Sequence, residues 1–314
     1  MDWSIDLAPN RKGGLHLRTP VMTASGTFGY GVEMARLIDI ERLGAIVTKS
    51  VSWRPRSGNP PPRLIETPAG LLNSIGLQNP GVRALVRQKA PYWARWSVPV
   101  IVSIFGETEE EYARVAAYLN GIVGVSGLEL NISSPNARRG GMHFGVDPEM
   151  AAGVTAAVRS VTELPLLVKL SPNAPDPIAV AKAVVEAGAD ALTCMNTFVG
   201  LAIDARRRRP AVALERAGLS GPAVKPLALY WVYQIAREVS VPVIASGGIV
   251  TGQDAYEFLL AGASAVQVGT ATFMDPRAAI KITDELANIL LREGVEELAA
   301  IRGAAQRPPL DKAS

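Results

Sequence analysis

Eight short apolar runs, separated by helix-forming segments with recognisable ends, predict an α/β chain folded as a (β/α)8 (TIM) barrel. The runs cover residues 21–24, 45–48, 100–104, 127–131, 166–170, 190–195, 242–246 and 264–268. A length of 314 residues fits one such barrel with insertions, so a single domain over residues 1–314 is expected. No glycine fingerprint follows the first run, which argues against an open doubly wound sheet.

Local signals support the elements in turn. Thr108 with Glu111 three residues on has the pattern of a capping box, opening a helix that reaches about residue 119. Asp176 caps and Pro177 starts a helix that Gly188 stops. Thr251 opens another that Gly262 ends. The segments VEAGADAL and LLAGASAVQVG share one layout of helix, glycine stop and buried strand, a weak internal repeat. Three excursions interrupt the rhythm. Residues 53–81, rich in Pro, Gly and Asn, form a long non-helical stretch after strand two, and residues 198–226 form another after strand six. A shorter loop from Ser133 to Gly141 follows strand four. All three leave C-terminal strand ends, the face on which barrels carry their sites.

Composition narrows the function classes. Hydrophobic residues make up 48% and charged residues 19% of the chain, which describes a globular protein and excludes a disordered one. A net charge of +3 with interspersed signs offers no basic face, so no nucleic-acid partner is expected. The arginine run 206–209 reads as the solvated edge of a hairpin. The single cysteine, Cys194, excludes an intrachain disulfide, a Cys-ligated zinc site and an iron–sulfur cluster held by this chain alone. It lies in an apolar run and reads as a small buried hydrophobe. With only His16 and His143, no metal site is expected. The N-terminal stretch lacks a signal-peptide core and no run of about 18 apolar residues occurs, so the expectation is a cytoplasmic protein with no membrane contact.

The chemistry concentrates at strand ends. Gly247 and Gly248 follow strand seven, and Gly269 and Thr270 follow strand eight, where barrels bind phosphate. Tight βα turns are the plain alternative for either pair alone; the two pairs together favour a bound phosphate. Lys49 follows strand two and Lys169 lies within strand five. A lysine in an apolar strand must find an anionic partner, and two of them opposite a phosphate site suit a flavin, whose reduced anion a nearby cation stabilises. Asn73, Asn131 and Asn196, the last followed by Thr197, can hold a planar ligand with alternating carbonyl and N–H groups. The loop carrying Ser133, Ser134, Pro135 and Asn136 is open to two readings, a lid with a catalytic hydroxyl or a plain turn.

Taken together, these residues resemble the dihydroorotate dehydrogenases, in particular the class 1B catalytic subunits, over nearly the whole chain. The stretches that carry the resemblance are ASGTFGYG (24–31), TKS (48–50), GNPPPRLIETPAGLLNSIGLQNPG (58–81), LELNISSPNARRGG (128–141), VKLSPN (168–173), MNT (195–197), LSGPAVKP (219–226), ASGGI (245–249) and VGTA (268–271). The NSIGLQNPG and N-x-S-x-P-N elements are specific, whereas the terminal glycine pairs occur in many phosphate-binding barrels. The resemblance implies oxidation of dihydroorotate to orotate in pyrimidine synthesis. It implies FMN on Ser25, Lys49, Ser50, Ser103, Asn131, Lys169, Met195, Gly221, Gly247, Gly248, Gly269 and Thr270. It implies substrate on Lys49, Asn73, Ser74, Ile75, Gly76, Leu77, Asn131, Asn196 and Thr197, with Ser134 and Lys49 as catalytic residues. It further implies a homodimeric core and a second subunit carrying FAD and a 2Fe-2S cluster that passes electrons to NAD+.

Two positions depart from the class 1B pattern. Ser134 stands where class 1 enzymes have a cysteine base, and serine is the base of the quinone-using class 2 enzymes. A thiol has a pKa of about 8.5, whereas an alcohol is a far weaker base and needs a proton relay or a higher working pH. Ser103 stands where an asparagine usually touches the flavin. Three rivals share part of the pattern. They are another FMN-dependent barrel oxidoreductase such as a dihydropyrimidine-type dehydrogenase, a non-redox phosphosugar isomerase or aldolase barrel that would purify as a colourless protein, and a scaffold subunit whose Ser134 marks lost chemistry.

Overall fold

The computed structural model describes residues 2–135 and 140–306. Each expected run contains a strand: β1 (Val21–Thr23), β2 (Ile46–Val47), β3 (Val100–Ile104), β4 (Gly127–Asn131), β5 (Leu166–Lys169), β6 (Ala191–Cys194), β7 (Val243–Ser246) and β8 (Ala265–Val268). They lie parallel in one sheet in which β8 sits beside β1 and every other neighbour is the next strand in sequence. The sheet curls until its ends meet. The Gly44 N–H donates to Val21 O at 2.8 Å, the Thr23 N–H to Ala45 O at 3.1 Å, and the Val47 N–H to the Thr23 hydroxyl at 3.1 Å. All eight strands are buried along their length, which is why they read as unbroken apolar runs rather than as alternating ones.

Helices cover the outside after seven of the strands: Val82–Trp93, Glu109–Leu119, Pro148–Arg159, Pro177–Glu186, Lys225–Ile235, Gly252–Leu260 and Ala278–Arg292. Between β1 and β2 two short 3-10 turns replace the helix. The expected caps are present at Asp176 and Thr251, and Asp254 completes a reciprocal capping box with Thr251. At Thr108 half of the expected box forms. Its hydroxyl accepts from the Glu111 N–H, but the Glu111 carboxylate reaches one residue further back, to the Glu107 N–H at 2.8 Å.

Side chains alternate along each strand, so residues two apart share a face. The outward set packs under the helices. The inward set stacks in layers. An apolar lower layer contains Met22, Val47, Ile101, Leu167 and Ile244. It is plugged from below by Leu7, Leu15 and Leu17 around the hairpin of Ile5–Asp6 with His16–Leu17, an element the sequence reading did not anticipate. Two residues beyond Ile101, Leu167, Ala191 and Ala265 of that layer come Ser103, Lys169, Thr193 and Gln267, which with Glu129 of β4 form a buried polar layer toward the C-terminal mouth.

The two long excursions are not loops. Leu64–Thr67 and Gly70–Asn73 form a hairpin that Ala217–Ser220 and Phe198–Gly200 extend into a four-stranded antiparallel sheet. This sheet roofs the mouth. Residues 206–209 are exposed beside the small Ile203–Asp204 and Arg209–Pro210 hairpin, as expected of a solvated edge. After β4, Met142–Gly145 forms a short helix. Asn136, Ala137, Arg138 and Arg139, the middle of the expected lid, lie outside the described residues.

Barrel closure has no room beside Gly44. A Cβ there would lie 2.1 Å from Thr19 O and 3.0 Å from Val21 O, both backbone atoms. Gly44→Ala is therefore expected to destabilise the fold by about 1–3 kcal/mol, the usual cost of overpacking. An unchanged urea midpoint would show that the closure yields freely.

Candidate active site

A cavity of about 420 Å³ opens between the strand ends and the roof sheet. That size lies in the range of small-molecule sites. Among the residues expected to form the site, Ser25, Lys49, Ser50, Asn73, Ile75, Gly76, Leu77, Asn131, Ser134, Lys169, Met195, Asn196, Thr197, Gly221, Gly247, Gly248, Gly269 and Thr270 all line it. They come from seven strand ends and the roof, up to about 245 residues apart in the chain, and only barrel closure brings them together.

Two expected contacts do not reach the cavity. Ser103 is fully buried in β3 behind Ser50, the two hydroxyl oxygens 2.8 Å apart. A serine side chain is too short to pass its neighbour, so Ser103 supports the wall. Ser74 is also fully buried, with its carbonyl accepting from Asn59 Nδ2 at 3.2 Å. Strand and loop alternation turns it away from the ligand side, between Asn73 and Ile75, which do line the cavity.

One end of the cavity is built for an anion. The backbone N–H groups of Gly248, Gly269 and Thr270 lie outside any helix or strand and meet no protein acceptor among the described residues. Gly248 has φ of 75° and Gly247 of 133°, conformations that favour glycine. A Cβ on Gly248 would also stand 2.7 Å from the Lys225 backbone nitrogen, so the turn packs directly on the start of the preceding helix, Lys225–Ile235. The Asp254 carboxylate fixes the turn from behind, accepting from the Val250 and Thr251 N–H groups and from the Lys225 ammonium. Lys225 is thus engaged by Asp254 and Glu257 and is not a cation for the cavity.

The floor carries two lysines in different circumstances. The Lys169 ammonium donates to Gln267 Oε1 at 3.1 Å and stands 4.0 Å from Glu129 Oε1. Glu129 Oε2 accepts from Gln267 Nε2 at 2.7 Å and from the Thr193 hydroxyl at 2.9 Å, while its Oε1 has no hydrogen bond among the described residues. Lys49 has no carboxylate partner among the described residues. Burial, and secondarily the neighbouring Arg63 charge, lower its pKa from the usual lysine value.

The far wall is a chain of amides and hydroxyls. Asn131 Nδ2 donates to Ser50 Oγ at 2.8 Å. Asn196 Nδ2 donates to Ser133 Oγ at 2.9 Å and, more weakly, to Asn131 Oδ1 at 3.4 Å. Asn196 Oδ1 accepts from the Thr197 N–H at 2.7 Å. Asn173, which the residue-by-residue reading passed over, donates to Thr197 O at 3.1 Å and braces that end. Ser134 is largely buried as a residue but lines the cavity, and its hydroxyl has no hydrogen-bond partner among the described residues. Cys194 is fully buried and burial pushes its thiol pKa up, as an inert core residue requires. Among the described residues no group of His, Cys, Asp and Glu is placed to hold a metal.

Gly26, Thr27, Leu71, Leu219, Ser220 and Phe273 also line the cavity and were not singled out from sequence. Gly26 and Thr27 stood inside the ASGTFGYG stretch, Leu71 inside 58–81, and Leu219 and Ser220 inside 219–226; only Phe273, in the short helix Ala271–Met274, lay outside every quoted stretch.

Comparison with known proteins gives a consistent picture. The sequence model of the family described as Dihydroorotate dehydrogenase matches residues 10–290. The catalytic subunit of dihydroorotate dehydrogenase B (NAD(+)) from Geobacter sp. (strain M21) is 52% identical over 293 residues, covering 93% of this chain and 96% of that protein. The same subunit from Pelobacter propionicus is 52% identical over 305 residues, covering 97% and 99%. Among solved structures, that of DHODH from Eimeria tenella in complex with ferulenol superimposes with a TM-score of 0.81 at 25% identity, covering 96% of this chain and 89% of that one.

Proposed function

The chain belongs to the dihydroorotate dehydrogenase family, and on that premise we propose how its cavity performs the oxidation of (S)-dihydroorotate to orotate. The protein is an FMN-dependent oxidoreductase of de novo pyrimidine (UMP) biosynthesis. We read residues 1–314 as one catalytic domain.

The observation that carries the reading is one cavity that holds free backbone donors at one end, two ammonium groups on its floor and a hydroxyl at its wall. These features fit FMN. The amides of Gly248, Gly269 and Thr270, which meet no protein acceptor among the described residues, would hold the phosphate. Lys169, Ser50 and Asn131 would hold the ring, with Ser25, Lys49, Met195, Gly221 and Gly247 around it. Bound FMN supplies the two-electron acceptor that takes the hydride from substrate C6.

The rest of the reaction falls to this chain. Asn73, Asn131, Asn196 and Thr197 present donors and acceptors to the planar dihydroorotate ring, with Ile75, Gly76 and Leu77 closing over it. Lys49, which has no internal counter-ion, meets the charge of the substrate carboxylate. Ser134 takes the proton from C5. Ser134 lines the cavity with its hydroxyl unengaged among the described residues, available to the substrate. Ser74 and Ser103 act from behind, keeping the roof loop and Ser50 in place.

Relatives named as catalytic subunits imply a separate electron-transfer subunit. We assign the FAD, the 2Fe-2S cluster and the NAD+ site to that subunit, since one buried cysteine cannot ligate a cluster. The reading also includes a homodimeric core and a cytoplasmic location; no described helix is long and apolar enough to cross a membrane.

Anaerobic mixing with dihydroorotate tests the function. The FMN absorbance is expected to bleach, and colour to return with NAD+ only when the electron-transfer subunit is added. Return with fumarate or a quinone alone would replace the proposed acceptor, and a flavin that never bleaches would remove the proposed reaction. Ser134→Ala is expected to slow bleaching by at least ~100-fold with FMN retained, and Ser134→Cys to keep activity with its pH profile moved down. Bleaching at the parent rate in Ser134→Ala would rule Ser134 out as the base. Orotate affinity is expected to weaken as pH rises, because deprotonation of Lys49 removes the cation that meets the carboxylate. With its pKa lowered by burial, the loss should begin below the ordinary lysine range. Spectral titration checks this, and Lys49→Met should bind weakly with no such slope.

A further inference from the structure

Glu129 is the one carboxylate in the polar layer beneath the cavity, and nothing in the reaction as described uses it. Its environment is unusual. The residue is fully buried in β4, yet one carboxylate oxygen carries both of its hydrogen bonds and the other carries none among the described residues. The bare oxygen is the one that faces the Lys169 ammonium, at 4.0 Å, beyond direct hydrogen-bond distance.

Gln267 explains the gap. Its amide N–H₂ donates to Glu129 Oε2, so its carbonyl oxygen must point the other way, and it accepts from the Lys169 ammonium at 3.1 Å. A carboxylate and an ammonium are thereby joined through a neutral spacer instead of closing on each other. The spacer uses one of the three ammonium N–H groups, and Lys169 itself lines the cavity. The Thr193 hydroxyl, from β6 on the far side of the Lys169 strand, also donates to Glu129 Oε2 and keeps Glu129 turned toward Gln267.

We propose that Glu129 is a positioning residue, which with Gln267 as spacer holds the Lys169 ammonium at partial strength toward the cavity and so sets how strongly reduced FMN is favoured over oxidised FMN. The proposal rests on FMN binding as read above. A full-contact ion pair would cancel the ammonium field at the cavity. A lysine without a counter-charge would present the whole of it and would be costly to bury. The observed spacing lies between the two.

The two-electron midpoint potential of the FMN-loaded protein, measured by dye-coupled reduction, tests the device in both directions. Glu129→Gln keeps the shape and removes the counter-charge. It is expected to favour reduced FMN by about tenfold, a rise of about 30 mV in a two-electron potential. Gln267→Leu removes the spacer and lets Lys169 close on Glu129; it is expected to shift the potential by a similar amount downward. In a Lys169→Met background, Glu129→Gln is expected to produce no further shift. A purely structural role predicts no opposite-signed pair. An unmoved or lowered potential in Glu129→Gln overturns the proposal. If that variant does not fold, an unmoved or raised potential in Gln267→Leu overturns it, and so does an undiminished Glu129→Gln shift without Lys169. A protein that takes up no FMN would remove the flavin reading as well, whereas bound FMN with unmoved potentials removes this proposal alone.

Discussion

Two ammonium groups held where water is scarce set the terms for the rest of the site. A lysine inside a barrel must be given either an internal partner or a ligand, because an unpaired buried charge is expensive. The chain does one of each. Lys169 is supplied from within by Gln267 and, at longer range, by Glu129. Lys49 has no carboxylate partner among the described residues, and its ammonium is destabilised by burial and by Arg63. The site is therefore electrostatically incomplete without an anion, and an anionic ligand that completes it also stabilises the fold by mass action.

The roof sheet makes that scarcity of water possible, and it also couples two halves of the site. Asn73 leaves the hairpin that follows β2, and Thr197 begins the excursion that follows β6. Strand pairing sets Asn73 opposite Gly218, with Asn73 Nδ2 donating to Gly218 O at 3.2 Å. Gly218 is also the point where Thr197 comes closest, since a Cβ there would stand 2.1 Å from the Thr197 hydroxyl oxygen. One glycine thus fixes the distance between the two excursions. Neither loop alone could place its residue, and a register slip of one would turn every side chain in the strand over.

What was legible in the sequence follows from which forces act locally. Strands buried on both faces announce themselves as apolar runs, and all eight did. Caps at Asp176 and Thr251 act within four residues and could be read directly. The glycine turn after β7 was legible because its positive φ values and the close approach of the Lys225 backbone favour glycine there. The roof sheet was not, because its strands are short, rich in Gly and Pro neighbours, and stabilised by partners about 145 residues away. The depth of Ser74 and Ser103 was also hidden. A motif gives a position along the chain, whereas only packing decides whether Ser103 faces the ligand or stands behind Ser50. Glu129, Thr193 and Gln267 did leave a signal, as polar residues at two-residue spacing from the apolar interior layer, and the period was there to be counted.

The proposed role of Ser134 as base follows from the same electrostatics. An alcohol is too weak a base to remove a carbon-bound proton from an unaided substrate at neutral pH. The geometry works on both sides of that mismatch. The Met142 N–H donates to Ser134 O at 3.1 Å, and the Tyr112 hydroxyl donates to Asn131 O at 2.8 Å, so both ends of the short segment carrying the hydroxyl are tied to the scaffold. Fixing the acceptor in place recovers part of the barrier as prepaid entropy. Two ammonium groups on the cavity floor meanwhile favour the negative charge that builds on the substrate as the proton leaves. The more of that charge the lysines accommodate, the less basic the proton acceptor needs to be. A serine in place of a thiol is then consistent with a site whose cations, rather than its base, carry the larger share of the work.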